Sequence, residues 1–291
     1  MRTKPFLFIL LTMVFATTAC SDTVGNGRLT IHALHEVDGR SLVTDELRYT
    51  NEAGNPYLVN EVQWFLSHLE IMDDQGRWTT LAETWYIDTN LPETMTLQVS
   101  DVPTGHYQTM RFTFGLNDTD NLTGAFSNPP ESNMFWPNEL GGGYHYMKLN
   151  GKYQNNEDLL APLAIHLGRG QNSELTEFYD NSFSVELPIE LTVTEGHDSL
   201  LGLAMNIENW FREPNVYDFN VYGSAIMQNQ QAQQTLKANG HNVFSIKTQD
   251  DMESALKTAV QLLHKAAPKP HFMTWENIRN TFTNINKPKD Q

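Results

Sequence analysis

From Arg28 to about Tyr222 the chain alternates apolar with polar residues in short runs and seldom repeats apolar positions at helical spacing. Successive side chains of an extended strand point to opposite faces, so each such run predicts a strand with one buried face. The predicted strands are 29–35, 57–71, 85–87, 95–99, 107–116, 143–149, 163–167, 183–193 and 200–206. Asp38-Gly39, Ala53-Gly54-Asn55-Pro56, Gln75-Gly76, Pro103-Thr104-Gly105 and Asn150-Gly151 punctuate them as turns, and 127–131 and 138–143 read as loops. Short strands punctuated in this way predict a mainly β chain, an antiparallel immunoglobulin-like β-sandwich.

Beyond Tyr222 the pattern changes. Residues 228–237 are polar and helix-forming and Asn239-Gly240 stops them, while 251–266 place Met252, Leu256, Ala259 and Leu263 at helical spacing behind an Asp-rich start. Pro268-Lys269-Pro270 breaks that helix, and a further short one is expected over 272–281. The expected organisation is a sandwich over 28–222 and a small C-terminal helical appendage over 223–291 that packs on it.

The N-terminus departs from both patterns. Arg2 and Lys4 precede an apolar stretch from Phe6 to Ala16 and small residues up to Ala19, a segment too short to span a bilayer and flanked as a cleaved signal peptide is. Residues 1–19 are therefore expected to be removed, with 20–27 as a linker. Cys20, the single cysteine, follows those small residues, where lipidation would make it the first residue of an anchored protein. Periplasm or cell surface is the expected place, with a lipid anchor in the bacterial membrane, most naturally the outer one. One cysteine also excludes an intramolecular disulfide and any multi-cysteine zinc site.

Losing Arg2 and Lys4 with the signal segment changes the formal net charge from −16 to −18. Such acidity repels phosphate backbones, which excludes nucleic acid as an expected partner. No G-x-S-x-G elbow, H-E-x-x-H helix, Walker loop or dinucleotide fingerprint occurs, and Gly141-Gly142-Gly143 precedes a strand instead of a helix, so an enzyme is not expected.

Candidate chemistry lies in the histidines. Imidazole is the commonest protein ligand for copper and zinc, although a lone strand histidine is more often exposed or satisfied by a carbonyl. Period two places His35 with Leu29, Ile31 and Ala33 on an inward face, turns His32 away, puts His68 beside Trp64 and Leu66, and sets His145 with Met147 and Leu149. His166 ends a strand just before Leu167-Gly168-Arg169-Gly170. Histidines from distant segments meeting at one rim of the sandwich would make a metal site, with Met134 or Met147 near enough to add a soft ligand.

Several of these segments together resemble the MbnP-like family, named for a methanobactin-associated partner protein. They are His35 followed by Asp38-Gly39, Phe65-Leu66-Ser67-His68-Leu69, Val102-Pro103-Thr104-Gly105-His106-Tyr107, Arg111 to Leu116, Met134-Phe135-Trp136 leading to Gly143-Tyr144-His145-Tyr146-Met147-Lys148-Leu149-Asn150-Gly151, and His166-Leu167-Gly168. The resemblance spans about 28–220. It implies a periplasmic or surface β-sandwich that binds copper through histidines, in some members with a tryptophan oxidised to kynurenine by a dihaem cytochrome c peroxidase partner. His35 and His166 match the family's most recognisable histidines, His68 falls where many members have Asn, and Trp136 matches the family tryptophan but is followed by Pro137-Asn138-Glu139, where a second tryptophan is common. Trp64 is the alternative aromatic. The expected function is that of an exported lipoprotein binding copper, or zinc through the same donors, at His35 and His166 with His68 and His145 added, for acquisition, storage or delivery. The rival is a metal-free envelope binding or assembly module that uses its sheet edges.

Overall fold

The structure is a computed structural model that describes residues 25–254 and 257; the signal segment, Cys20, most of the helix expected over 251–266 and the one over 272–281 lie outside the described residues. Its strands are β1 (Asn26–Val37), β2 (Arg40–Ser41), β3 (Tyr49–Thr50), β4 (Pro56–Asp73), β5 (Trp78–Asp88), β6 (Thr96–Pro103), β7 (Gly105–Phe114), β8 (Met147–Gln154), β9 (Leu160–Leu167), β10 (Gly170–Gln171), β11 (Phe178–Tyr179), β12 (Phe183–Val193), β13 (Asp198–Asn206) and β14 (Phe244–Lys247), with helices α1 (Phe219–Tyr222) and α2 (Gln230–Gly240). One sheet runs β14-β13-β1-β2 with β6 also paired to β1, and the second runs β12-β7-β4-β8-β9 with β3 and β5 paired to β4. The fold is a β-sandwich, as the alternation predicts.

Each strand owes its place to one buried row. On β1, Leu29, Ile31, Ala33, His35 and Val37 are buried, and across the core the second sheet answers with Trp64 and Leu66 of β4, Phe112 and Phe114 of β7, and Ile165 and Leu167 of β9. Burying each such apolar side chain stabilises the fold by roughly 1.5–3 kcal/mol. Phe114 ties the layers together, since its ring lies 6.2 Å from Trp64, 5.0 Å from Phe183, 5.1 Å from Trp210 and 5.8 Å from Phe244.

β4 departs from simple alternation: Trp64, Phe65, Leu66 and Ser67 are all fully buried. A strand reads as continuously apolar when both its faces are covered. Here the outer face of the second sheet lies beneath the long connection from β7 to β8, whose Phe126 and Tyr144 rings approach Phe65 at 5.2 and 6.4 Å. The loops expected over 127–131 and 138–143 belong to that connection.

Other differences from the sequence reading have local causes. β1 and β13 pair in parallel, from Arg28↔Asp198 to Glu36↔Asn206, because the partner arrives from far along the chain and no hairpin dictates antiparallel order. Asp38-Gly39 does form the two-residue β1–β2 hairpin, with both residues at positive φ. Asn150-Gly151 is no turn. It lies inside β8 opposite the bulge between Val59 and Glu61, where a Cβ at Gly151 would stand 2.1 Å from the Leu58 carbonyl oxygen. The C-terminal segment is also more than an appendage: after α2, Phe244–Lys247 adds β14 to the first sheet, and Ala232, Leu236, Val243 and Phe244 join the core. The Asp-rich helix start after it is capped by Thr248, whose Oγ1 accepts from the Asp251 backbone N–H.

At one end of the core Glu208 is buried, and the hydroxyl of Tyr57 donates to its Oε2 at 2.8 Å. Burial pushes the Glu208 carboxyl up to about 7 against that hydrogen bond. The folded chain therefore holds a proton that the unfolded chain releases between about pH 4.5 and 7, so this group's contribution to stability is present below that window and lost as pH rises through it. Relative to wild type, Glu208→Gln is expected to gain ~3 kcal/mol of stability between pH 5 and pH 8, measured by urea unfolding of both proteins at both pH values. An unchanged difference would contradict the buried, protonated carboxyl.

Candidate metal centre

The strand ladder decides which histidines meet. Directly opposed residues of a sheet share a face, and Trp64 opposes Met147, which opposes Leu167. Trp64 points between the sheets, where its ring lies 5.5 Å from Phe244 of the other sheet. Leu167 must do likewise, and His166, one residue earlier, projects from the opposite, outer face with Lys148 and Gln63 as its register partners.

On that outer face His166 meets His145. The two rings are 5.1 Å apart at 84°, and the ring of Trp136 stands 4.7 Å from His145 at 77°. β8 begins only at Met147, and the residues before it follow the loop: Trp136 N–H donates to the Gly143 carbonyl and His145 N–H to that of Met134. The period-two phase that would have grouped His145 with Met147 is therefore broken. Trp136 is fully buried, its indole N–H donates to the Leu140 carbonyl at 3.0 Å, and its ring lies over Gly168, where an added Cβ would be 2.5 Å from Cε3. Glycine in His166-Leu167-Gly168 thus gives the seat for the tryptophan of Met134-Phe135-Trp136.

Hydrogen bonds fix the tautomer of each imidazole. His145 Nδ1 lies 2.9 Å from the Met134 carbonyl, which only accepts, so Nδ1 carries the proton and Nε2 keeps the lone pair. That Nε2 is buried without a partner among the described residues. Asn150 donates its Nδ2 to Glu61 Oε1 at 2.7 Å, which turns its Oδ1 toward His166 Nε2 at 2.8 Å. His166 accordingly carries its proton on Nε2 and leaves the lone pair on Nδ1. Burial, the largest cause, lowers His145 to about 3 and His166 to about 4, and the nearby Lys148 charge lowers both further. Both rings are neutral, the form that binds metal.

The remaining expected ligands lie elsewhere. His35 faces inward as expected, but into the core: Trp64 Nε1–H donates to its Nε2 at 3.0 Å, leaving the proton on a buried Nδ1 that has no partner among the described residues. Its lone pair is used, burial lowers it to about 4, and the second sheet's β8 and β9 separate it from the face carrying His166. The expected meeting of His35 with His166 does not occur. His68 occupies a bulge at φ 51°, where register shifts on both sides of β4, and this breaks the phase that would have set it beside Trp64. Its Nε2 lies 2.6 Å from Asp120 Oδ2 and its Nδ1 3.6 Å from Glu83 Oε2. Trp64 instead partners His35. Met147 shares the inner face with Trp64, away from His166, whereas Met134 serves the pair through its carbonyl.

Three residues of this centre escaped the sequence reading. Asn150 sets the His166 tautomer, Gln233 of α2 donates to the His166 carbonyl at 2.7 Å, and Lys148, itself lowered by burial, donates to the Asn133 carbonyl at 2.6 Å. Strand alternation signals only that Asn150 and Lys148 share a face. Nothing in the polar helix text marks Gln233.

The donor set fits a metal of low coordination number. Among the described residues no group of three or more His, Cys, Asp or Glu side chains is assembled to hold an ion. Two neighbouring neutral imidazoles, each keeping one nitrogen lone pair, suit copper.

Comparison with known proteins places this geometry in context. A search of curated proteins gave no match. Among solved structures, MbnP from Methylosinus trichosporium is similar over 67% of this chain and 80% of its own, at 13% identity and a TM-score of 0.46. The model of the MbnP family matches residues 26–229, which include the whole histidine–tryptophan cluster. This chain belongs to the MbnP family.

Proposed function

We propose that this protein is an exported copper-binding lipoprotein, anchored at Cys20, that holds Cu(I) between His145 Nε2 and His166 Nδ1 for acquisition, storage or delivery. One observation carries the reading: two touching imidazoles each have one nitrogen committed to a protein acceptor, and the other left as a lone pair. A buried lone pair without a partner costs free energy that a bound metal offsets. The nearby cation Lys148 disfavours a second positive charge, so a monovalent ion suits the position better than a divalent one. When bound, copper would supply a redox-active centre. The chain's own contribution is to fix both tautomers, through Met134 and Asn150, and to exclude water with the Trp136 lid. If a dihaem peroxidase partner oxidises a tryptophan here, Trp136 is the one beside the pair, since Trp64 is closed between the sheets. Export and anchoring rest on the text of residues 1–20.

Purified mature protein is expected to take up about one Cu(I) per chain, and His145→Ala with His166→Ala to abolish uptake, read by metal analysis after desalting. His35→Gln, which keeps an acceptor for Trp64, should load as wild type does. Full loading of the double variant would reject the site. Asn150→Ala leaves both ligands in place but frees the His166 ring, and its copper affinity should fall ~10–100-fold in a competition titration with a Cu(I) chelator. An unchanged affinity would remove Asn150 from the centre.

A further inference from the structure

Asn150 can meet the Nε2 of His166 in two ways. Presenting its oxygen, it accepts from a protonated Nε2 and the ring keeps its lone pair on Nδ1; presenting its nitrogen, it donates to an unprotonated Nε2, and the ring proton moves to Nδ1. Both arrangements satisfy Nε2, but only the first leaves a nitrogen free. Neither partner settles the choice, because a neutral imidazole carries its proton on either nitrogen and an amide can turn either end toward it.

Glu61 of β4 settles it from the other side of Asn150. Its Oε1 accepts from Asn150 Nδ2 at 2.7 Å and its Oε2 from Asn90 Nδ2 at 3.0 Å, so an amide N–H group holds each oxygen. A carboxylate accepts and does not donate, so it takes the nitrogen end of Asn150 and leaves the oxygen end to His166, at 2.8 Å. The bulge in β4 makes the contact possible. Val59 opposes Gly151, yet Glu61 and not Asn60 opposes Asn150, so the extra residue sets the glutamate directly across from the amide.

We propose that Glu61, acting through Asn150, is the positioning residue that decides which nitrogen of His166 is left free for a metal. The consequence for copper rests on the function proposed above; the tautomer of the metal-free ring does not. An amide in place of the carboxylate could offer Asn150 either end, and an apolar side chain could offer neither.

The test compares wild type with Glu61→Gln and Glu61→Met, both close to glutamate in length, in the full mature chain. Long-range ¹H–¹⁵N correlation of the metal-free proteins reads the His166 tautomer, and competition with a Cu(I) chelator reads affinity. Wild-type His166 is expected as Nε2–H alone. Both variants should show a share of the Nδ1–H form and bind Cu(I) ~tenfold more weakly, with the His145 tautomer unchanged. In an Asn150→Ala background, which already lacks the relay, Glu61→Gln should change the affinity no further. His166 remaining wholly Nε2–H in both variants, a tautomer change without loss of affinity, or losses that add in the double variant would each overturn the proposal. A wild-type protein that takes up no Cu(I) would instead reject the function proposed above, and the tautomers would still confirm or refute the role of Glu61.

Discussion

Trp64, Met147 and Leu167 stand abreast on three neighbouring strands, and that row determines what the second sheet shows to the core and what it shows to the other side. A shift of one residue in a strand would exchange its faces. With the row in place, Trp64 takes its hydrogen-bond acceptor from His35 across the sandwich, and His166 is sent outward to meet His145. The core and the candidate metal centre are therefore two faces of the same ladder.

The outer face would ordinarily be solvated, as in many antiparallel sheets. In this protein the long β7–β8 connection covers it and is held by complementary small and large groups: Trp136 over Gly168, Tyr144 and Phe126 over Phe65. Burial, nearly complete for His145 and partial for His166, keeps both imidazoles neutral. Each ring commits one nitrogen, His145 Nδ1 to the Met134 carbonyl of that connection and His166 Nε2 to Asn150 of β8, and keeps a lone pair on the other. The same two devices, burial and an outer partner for each ring, are those by which proteins generally prepare histidine for a metal.

Much of this was legible in the text. Period two located most of the strands and gave His35 its inward face, and the segments around Met134-Phe135-Trp136, Gly143 to Gly151 and His166-Leu167-Gly168 carried the family. What alternation could not supply was register between distant strands. Whether His35 and His166 meet depends on which sheet each strand joins and on the sense of the β1–β13 pair, neither of which a single run encodes. Bulges were equally invisible: the left-handed residue at His68 undid its grouping with Trp64, and the loop leading into Met147 reversed the face assigned to His145. The C-terminal strand was hidden because Phe244–Lys247 is too short to show a period and lies next to helical text.

The central claim is that His145 and His166, and not His35, present free nitrogens to copper. Long-range ¹H–¹⁵N correlation of the histidine side chains, recorded before and after one equivalent of Cu(I) under anaerobic conditions, tests it directly. The account requires an Nδ1–H tautomer for His145 and an Nε2–H tautomer for His166 in the metal-free protein, with large copper-induced changes at His145 Nε2 and His166 Nδ1 and none at His35. Copper-induced changes at His35 with the His145 and His166 signals unmoved would contradict it.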